Sequence, residues 1–360
     1  MKYLFLKLDK HDLFSIVLIL LLFFTTNHYS YEDALLLNQL DSKSYYHISK
    51  YSPDLIFNKE IPFHHYQRFL LPYFIGLISK ILSLEIFTVY KSTVVIFLFL
   101  ISIIHKKIFL KLGHNFKTSI VMLSIIIFSP YLSRYILSIP MMLVDLGFVL
   151  ICYLAILSYI SNNKWLDFLI PFSLIFRISG IALLISHLMI LSFNFKKNFR
   201  RIAFLIINSI LVITILDYLS KNLTGREFSN LHYLGLFSEL EINNFYNIFI
   251  FIAKPIFCFI PLIFLLLFSK IELNKINFKN FIFLFFVAIM LIGQPILGGL
   301  QITGNNIFRL ASLSLPFLIF FLTSFTNIKK IISEHYIIII FINFLYSLHP
   351  KYSLIFSFTN

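Results

Sequence analysis

Cysteine and tryptophan are almost missing from this chain, which has 2 Cys and 1 Trp in 360 residues. Both cysteines, Cys152 and Cys258, lie inside apolar runs, so neither a disulfide framework nor a thiolate metal site is expected. Charge is scarce as well, at 13%, and 16 acidic residues face 30 Lys and Arg. The net charge of +14 invites a nucleic-acid partner, but the basic residues fall in short clusters between apolar runs instead of one stripe. That pattern signals membrane orientation, and no nucleic acid is expected. No nucleotide-binding loop, nucleophile elbow or HExxH helix occurs, and no internal repeat or low-complexity tract is visible.

What is present is apolar surface: 59% of residues are hydrophobic, 45 of them Phe, and the mean hydropathy is +0.88. A soluble core cannot hide that much, so the expectation is an all-α, polytopic transmembrane helical bundle forming one integral-membrane domain over 1–360. Lys2, Lys7 and Lys10 precede LFSIVLILLLFF as in a signal peptide, but TTNHYSY offers no small-residue cleavage site; a retained anchor with a cytoplasmic N-terminus is expected.

Apolar runs at 13–26, 87–104, 118–133, 141–160, 202–217, 248–268, 281–297, 310–326 and 336–348 read as spanning helices. Two segments decide the topology. The first, RFLLPYFIGLISKILSL from Arg68, is placed along the outer interface. The second, LDFLIPFSLIFRISGIALLISHLMILSF from Leu166, is placed as two short helices meeting at Arg177 to Gly180. About 11 crossings follow. Basic clusters around Lys106, Lys164, Lys196 to Arg201, Lys270 and Lys329 then fall inside, and hold with the others more than half of the Lys and Arg, as the positive-inside rule asks. The chain divides into an outer loop with juxtamembrane helices (27–86), core helices (87–217) and variable C-terminal helices (218–360). A bacterial cytoplasmic membrane with the site facing outward is the expected location.

Under that topology Asp41, Arg68, Arg134, Asp145, Arg177, Asp217 and Arg309 share the outer face. Asp41 opens DSKSYYHISKY and suits either a catalytic carboxylate or a helix cap. Arg177 sits in an apolar stretch, where a guanidinium costs roughly 2.5–3.5 kcal/mol unless paired. An anionic ligand or Asp145 is its natural partner. Asp145 also suits a helix N-terminus, and Arg309 a snorkelling position. Tyr45, Tyr46 and Tyr51 suit interface aromatics or sugar-stacking residues. His64 and His65, with Glu60 and His47 nearby, could bind a divalent metal, although no spacing is diagnostic and no cofactor is certain.

Asp41 with Tyr45 and Ile48 resembles the D-x-x-x-Y-x-x-I pattern of the GT-C class of polytopic glycosyltransferases. YQRFLLPYFIGLISKIL resembles the juxtamembrane stretch that follows it, SPYLSRYILSIPMMLVD the segment ending in the second acid, and LIFRISGIALL the short-helix corner. The likeness covers about 41–185, with a further trace from Arg309 to Pro316. It implies transfer of a sugar from a polyprenyl-phosphate-linked donor to a lipid-linked glycan or envelope acceptor, among membrane lipids. Asp41 becomes the first candidate for the catalytic base and Asp145 the second. Arg68, Arg177 and Arg309 become phosphate clamps, with Tyr45, Tyr46, His64 and His65 in the substrate site. The alternatives are a repeat-unit polymerase using Arg226, Glu227, His232, Glu239 and Glu241, or a flippase that makes no bond.

Overall fold

The computed structural model describes residues 9–37, 39–226, 245–271, 278–299, 303–327, 329–349 and 352–353. These are helical apart from short connections and a two-residue antiparallel ladder. In chain order the helices are α1 (Lys10–Thr25), α2 (Tyr31–Leu37), α3 (Gln39–Tyr51), α4 (Phe63–Tyr66), α5 (Leu70–Leu82), α6 (Ile86–Lys111), α7 (Phe116–Ile127), α8 (Tyr135–Ser138) and α9 (Leu143–Ile160). There follow α10 (Leu166–Phe176), α11 (Ile181–Ser192), α12 (Phe195–Thr224), α13 (Phe245–Ala253), α14 (Ile260–Leu267), α15 (Phe278–Leu297), α16 (Ile307–Ser312), α17 (Leu315–Phe325) and α18 (Lys329–Tyr346). Strand β1 (Lys270–Ile271) pairs with β2 (Thr326–Asn327).

Among the described residues, four helices are long and apolar enough to cross a membrane: Ile86–Lys111, Pro140–Ile160, Phe195–Thr224 and Asn247–Leu267. A fifth is formed if Phe116–Ile127 and Pro130–Ser138, bent by 42°, count as one span. Other apolar stretches fold as helices of 10–17 residues. At 1.5 Å per residue those reach about 15–26 Å, less than a hydrocarbon core of about 30 Å. Proline is one cause of the interruptions. Pro130 follows the bend after α7, Pro140 opens the 3-10 turn before α9, and Pro171 and Pro295 lie inside α10 and α15. Each removes a backbone donor and crowds the preceding turn.

Contacts sort the helix ends into two groups. At one end Asp9 caps α1, accepting from the amides of His11 and Asp12, and Lys106 near the close of α6 pairs with Asp9 at 2.7 Å and Asp12 at 2.9 Å. Lys111 donates to Ser161 just past α9, Arg201 in α12 pairs with Asp167 at the start of α10, and β1 meets β2. Lys106 and Lys111 of α6 and Arg201 of α12 therefore share this end with the start of α1.

At the opposite end Arg134, wholly buried, donates to the Thr25 carbonyl at 2.7 Å, to the hydroxyls of Thr25 and Thr26, and to Ser347 at 2.8 Å. Its partners close α1 and α18. Two helix C-termini, each carrying roughly half a negative charge, thus compensate a cation that has no carboxylate within ion-pair distance among the described residues.

Neither of the two topology-deciding segments folds as one long helix. Helix α5 starts beside α3, where Ser49 Oγ lies 2.7 Å from the Pro72 carbonyl and 2.7 Å from Tyr90 Oη of α6. It stops at Ser83, which takes a left-handed φ of 52°, one turn before α6 begins. Both ends of α5 therefore lie at the start of α6, and the helix does not run the length of the bundle. It hugs α3 because Gly76 has no Cβ; one there would collide with the Ser49 carbonyl oxygen. Helices α10 and α11 form a hairpin, since His187 midway along α11 lies 3.1 Å from Asp167 near the start of α10. Arg177 is its tip, in extended backbone at φ −156°. Gly180 lets the tip fold back, because a Cβ there would strike Ser173 Oγ.

Candidate functional site

Four separate stretches bring their charged residues to one point at the end opposite the basic clusters. Asp41 lies in the first turn of α3, Asp145 in the first turn of α9, Arg177 at the hairpin tip and Arg309 in α16. Local structure explains each position. The 3-10 turn Pro140–Met142 delivers Asp145 to a helix N-terminus, whose free amides and dipole favour a carboxylate. Arg309 is set by Ile307, fully buried, and by Phe308, whose ring stacks on Tyr131 at 4.7 Å.

The bonds among them are dense. Arg309 donates from both Nη atoms to Asp41 Oδ2, each at 3.1 Å, and its Nε lies 3.3 Å from Asp145 Oδ2. Arg177 Nη1 pairs with the other oxygen of Asp145. His65, the third residue of the α4 turn that follows Pro62, brings Nε2 to 2.7 Å from Asp41 Oδ1. Arg68 donates to Tyr45 Oη at 3.4 Å, and Tyr45 packs its ring 5.3 Å from His65. Tyr135 lies under the Arg309 guanidinium at 5.8 Å, and Met142 Sδ is 3.5 Å from its Nη1.

Three guanidiniums thus surround two carboxylates, an excess of one positive charge. Among the described residues no carboxylate lies within ion-pair distance of Arg68. The two acids differ in access. The Asp41 side chain is 15% exposed and that of Asp145 only 2%. Asp41 is therefore the solvent-reachable acid, while Asp145 is sealed between two arginines. Burial opposes ionisation of Asp41, but the charge of Arg309, the contact with His65 and the charge of Arg68 outweigh it; the carboxyl stays well below its ordinary range. Burial likewise keeps His65 below its ordinary value, against the pull of Asp41.

Of the residues singled out in the sequence, Asp41, Tyr45, His64, His65, Arg68, Asp145, Arg177 and Arg309 assemble here. Tyr46 does not: it packs on Tyr31, ring centroids 4.2 Å apart. Two members of the expected metal set also lie elsewhere, because Glu60 pairs with Lys43 in solvent and His47 contacts Asn58. Asp41 is not the cap of its helix, which starts two residues earlier, and Arg309 is buried instead of snorkelling. Asp217 binds Gln67 at 2.6 Å and ties α12 to the loop beside α4. Glu227, His232, Glu239 and Glu241 lie outside the described residues, and Arg226 just follows α12.

The sequence reading missed Tyr135 and Met142, which flank Arg309, although both lie in the SRYILSIPMMLVD stretch it had singled out. It also missed a second ionic cluster, Asp167, His187 and Arg201, at the basic end. Ionisable residues inside or beside apolar runs were the available signal for that one. No family model matches the chain, and no curated protein or solved structure matches it either.

Proposed function

We propose that the chain is a membrane glycosyltransferase of GT-C type that moves a sugar from a polyprenyl-phosphate-linked donor to a lipid-linked glycan or envelope acceptor. One observation carries the reading: a solvent-reachable carboxylate, Asp41, lies among three guanidiniums that exceed the local acids by one charge. The surplus suits a phosphate, which Arg recognises through paired hydrogen bonds. The reachable carboxylate suits an acceptor hydroxyl, whose proton it takes as the new glycosidic bond forms. Negative charge gathers on the departing phosphate, and donors already in place stabilise it without reorganisation. Asp145, held from both sides, orients Arg177 and Arg309 instead of touching the hydroxyl.

The pairing has a kinetic consequence. While Arg309 grips Asp41, the carboxylate is a weak base, because its proton affinity is held low. A phosphate that draws Arg309 away restores that affinity at the moment the acceptor must be deprotonated. Donor binding and base activation are coupled through one side chain.

Eleven crossings, with the site on the outer face of a bacterial membrane, complete the proposal. Supporting it, Lys106, Lys111 and Arg201 sit at the end opposite the site, as the positive-inside rule asks of cytoplasmic loops. A cysteine placed at Lys197 should resist a membrane-impermeant reagent in intact cells, and one placed at Lys59 should react; the opposite pattern overturns the sidedness.

The activity is tested in vesicles containing the purified protein, a polyprenyl-phosphate-linked sugar and a lipid-linked acceptor. Mass spectrometry should find acceptor heavier by one sugar residue. Lipid that changes leaflet with no change in mass would instead identify a flippase.

A further inference from the structure

The phosphate clamp leaves one part of the site unused. One ligand atom from each of Asp41, His64 and His65 lies within 4.8 Å of the others, on α3 and the single turn α4. His65 is fully buried, yet neither of its ring nitrogens has a hydrogen-bond partner. Its Nε2 is 2.7 Å from Asp41 Oδ1, but the approach is too bent for a hydrogen bond to form. A buried polar atom without a partner costs about 1–3 kcal/mol.

The two atoms of that contact are close enough to share one ion. An oxygen and a nitrogen 2.7 Å apart subtend, at an ion about 2.1 Å from each, roughly 80°, close to the angle between adjacent ligands of an octahedral ion. Asp41 can serve there without releasing its arginine, because Arg309 occupies Oδ2 and leaves Oδ1 to face the histidines.

We propose that Asp41, His64 and His65 form a binding site for a divalent transition-metal ion. Two imidazoles and one carboxylate suit zinc, manganese, iron or cobalt, whereas magnesium and calcium favour all-oxygen shells. Three protein ligands leave coordination positions open. The ion adds two positive charges to a cluster that already has one in excess, so it is held weakly alone and more tightly with an anion on the open positions. A phosphate oxygen is the natural occupant, and by linkage the ion and the phosphate must raise each other's affinity equally. This coupling rests on the phosphate reading above; the metal site itself does not.

The test uses the purified full-length chain in detergent, with Mn²⁺, Zn²⁺ and Co²⁺ titrated in turn, each with and without inorganic phosphate. At least one ion should bind one per chain, and spin-echo spectra of the Mn²⁺ form should carry nitrogen couplings from imidazole. His64→Ala, at a half-buried position, should weaken binding at least tenfold and remove one nitrogen coupling while the protein elutes and melts as the parent does. His65→Gln should do the same, its folding checked in the same way. Phosphate should tighten the ion severalfold. Failure of all three ions to bind, or binding unchanged in both histidine variants, overturns the site. An ion that binds through the histidines but ignores phosphate upholds the site and counts against the phosphate clamp.

Discussion

The two ends of this bundle hold ionic clusters built from the same residue types, and they differ in stoichiometry and access. At the basic end Asp167 takes Arg201 through two bonds, 2.7 Å from Nε and 2.9 Å from Nη2, and His187 closes the third side at 3.1 Å. One acid meets one guanidinium. The charge is balanced, the carboxylate is 9% exposed, and α10, α11 and α12 are stapled together. At the other end Asp41 also has an arginine and a histidine, but its arginine is shared with Asp145, two further guanidiniums stand near, and the histidine contact is bent. The comparison teaches that an Asp, His and Arg cluster is not a site by composition. An unbalanced charge and an open side set the cluster at Asp41 apart from the staple at Asp167.

The largest effect expected is on transfer. Asp41→Asn removes the base and should lower transfer by roughly 10²–10⁴-fold, while Asp167→Asn leaves transfer intact and lowers the melting temperature instead. Equal loss of transfer in both would erase the distinction between the two ends. Asp167→Asn itself should cost about 1–3 kcal/mol, as the buried His187 and the partly exposed Arg201 lose a charged acceptor.

Buried pairing comes next. Arg177→Met strands the sealed Asp145 with one arginine and should cost about 3–5 kcal/mol of stability, read by thermal melting in detergent. Adding Asp145→Leu should restore most of that loss, because a buried pair replaced by apolar groups is nearly neutral. Transfer should stay low in the double variant. If it returned with stability, the pair would be a second staple, like the one at the basic end.

The smallest effect sharpens the basic end. His11, buried beside Ser119 at 2.8 Å, is held down to about 4 from 6.5, chiefly by burial and then by Lys106. Between those values the unfolded chain binds the extra proton, so stability is full above about pH 6.5 and falls with acidification toward pH 4, by about 1–3 kcal/mol. Melting curves of the parent should show that decline, and His11→Gln should flatten it.

Much of this was legible in the residues. Asp41, Asp145, Arg177 and Arg309 stood out because ionised groups beside apolar runs are costly and need partners. Their place at the end opposite the lysine clusters also followed from the pattern of those clusters along the chain. Tyr46 was misleading, since adjacent helical residues point about 100° apart, and only Tyr45 faces His65. The staple at Asp167 escaped notice because its members are spread over three helices, and spacing along the chain says nothing about contacts between helices.

The sequence by itself determined a helical chain dominated by apolar segments, with basic clusters biased to alternate connections and its ionisable exceptions few enough to name. Those properties follow from local composition, since burial cost and helix periodicity are read residue by residue. Only the tertiary structure decided which acid is open and which is sealed, that Arg309 serves both, and that His65 meets Asp41 at an angle no hydrogen bond tolerates. Access and angle depend on how helices distant in sequence cross, and side-chain packing across those crossings sets them.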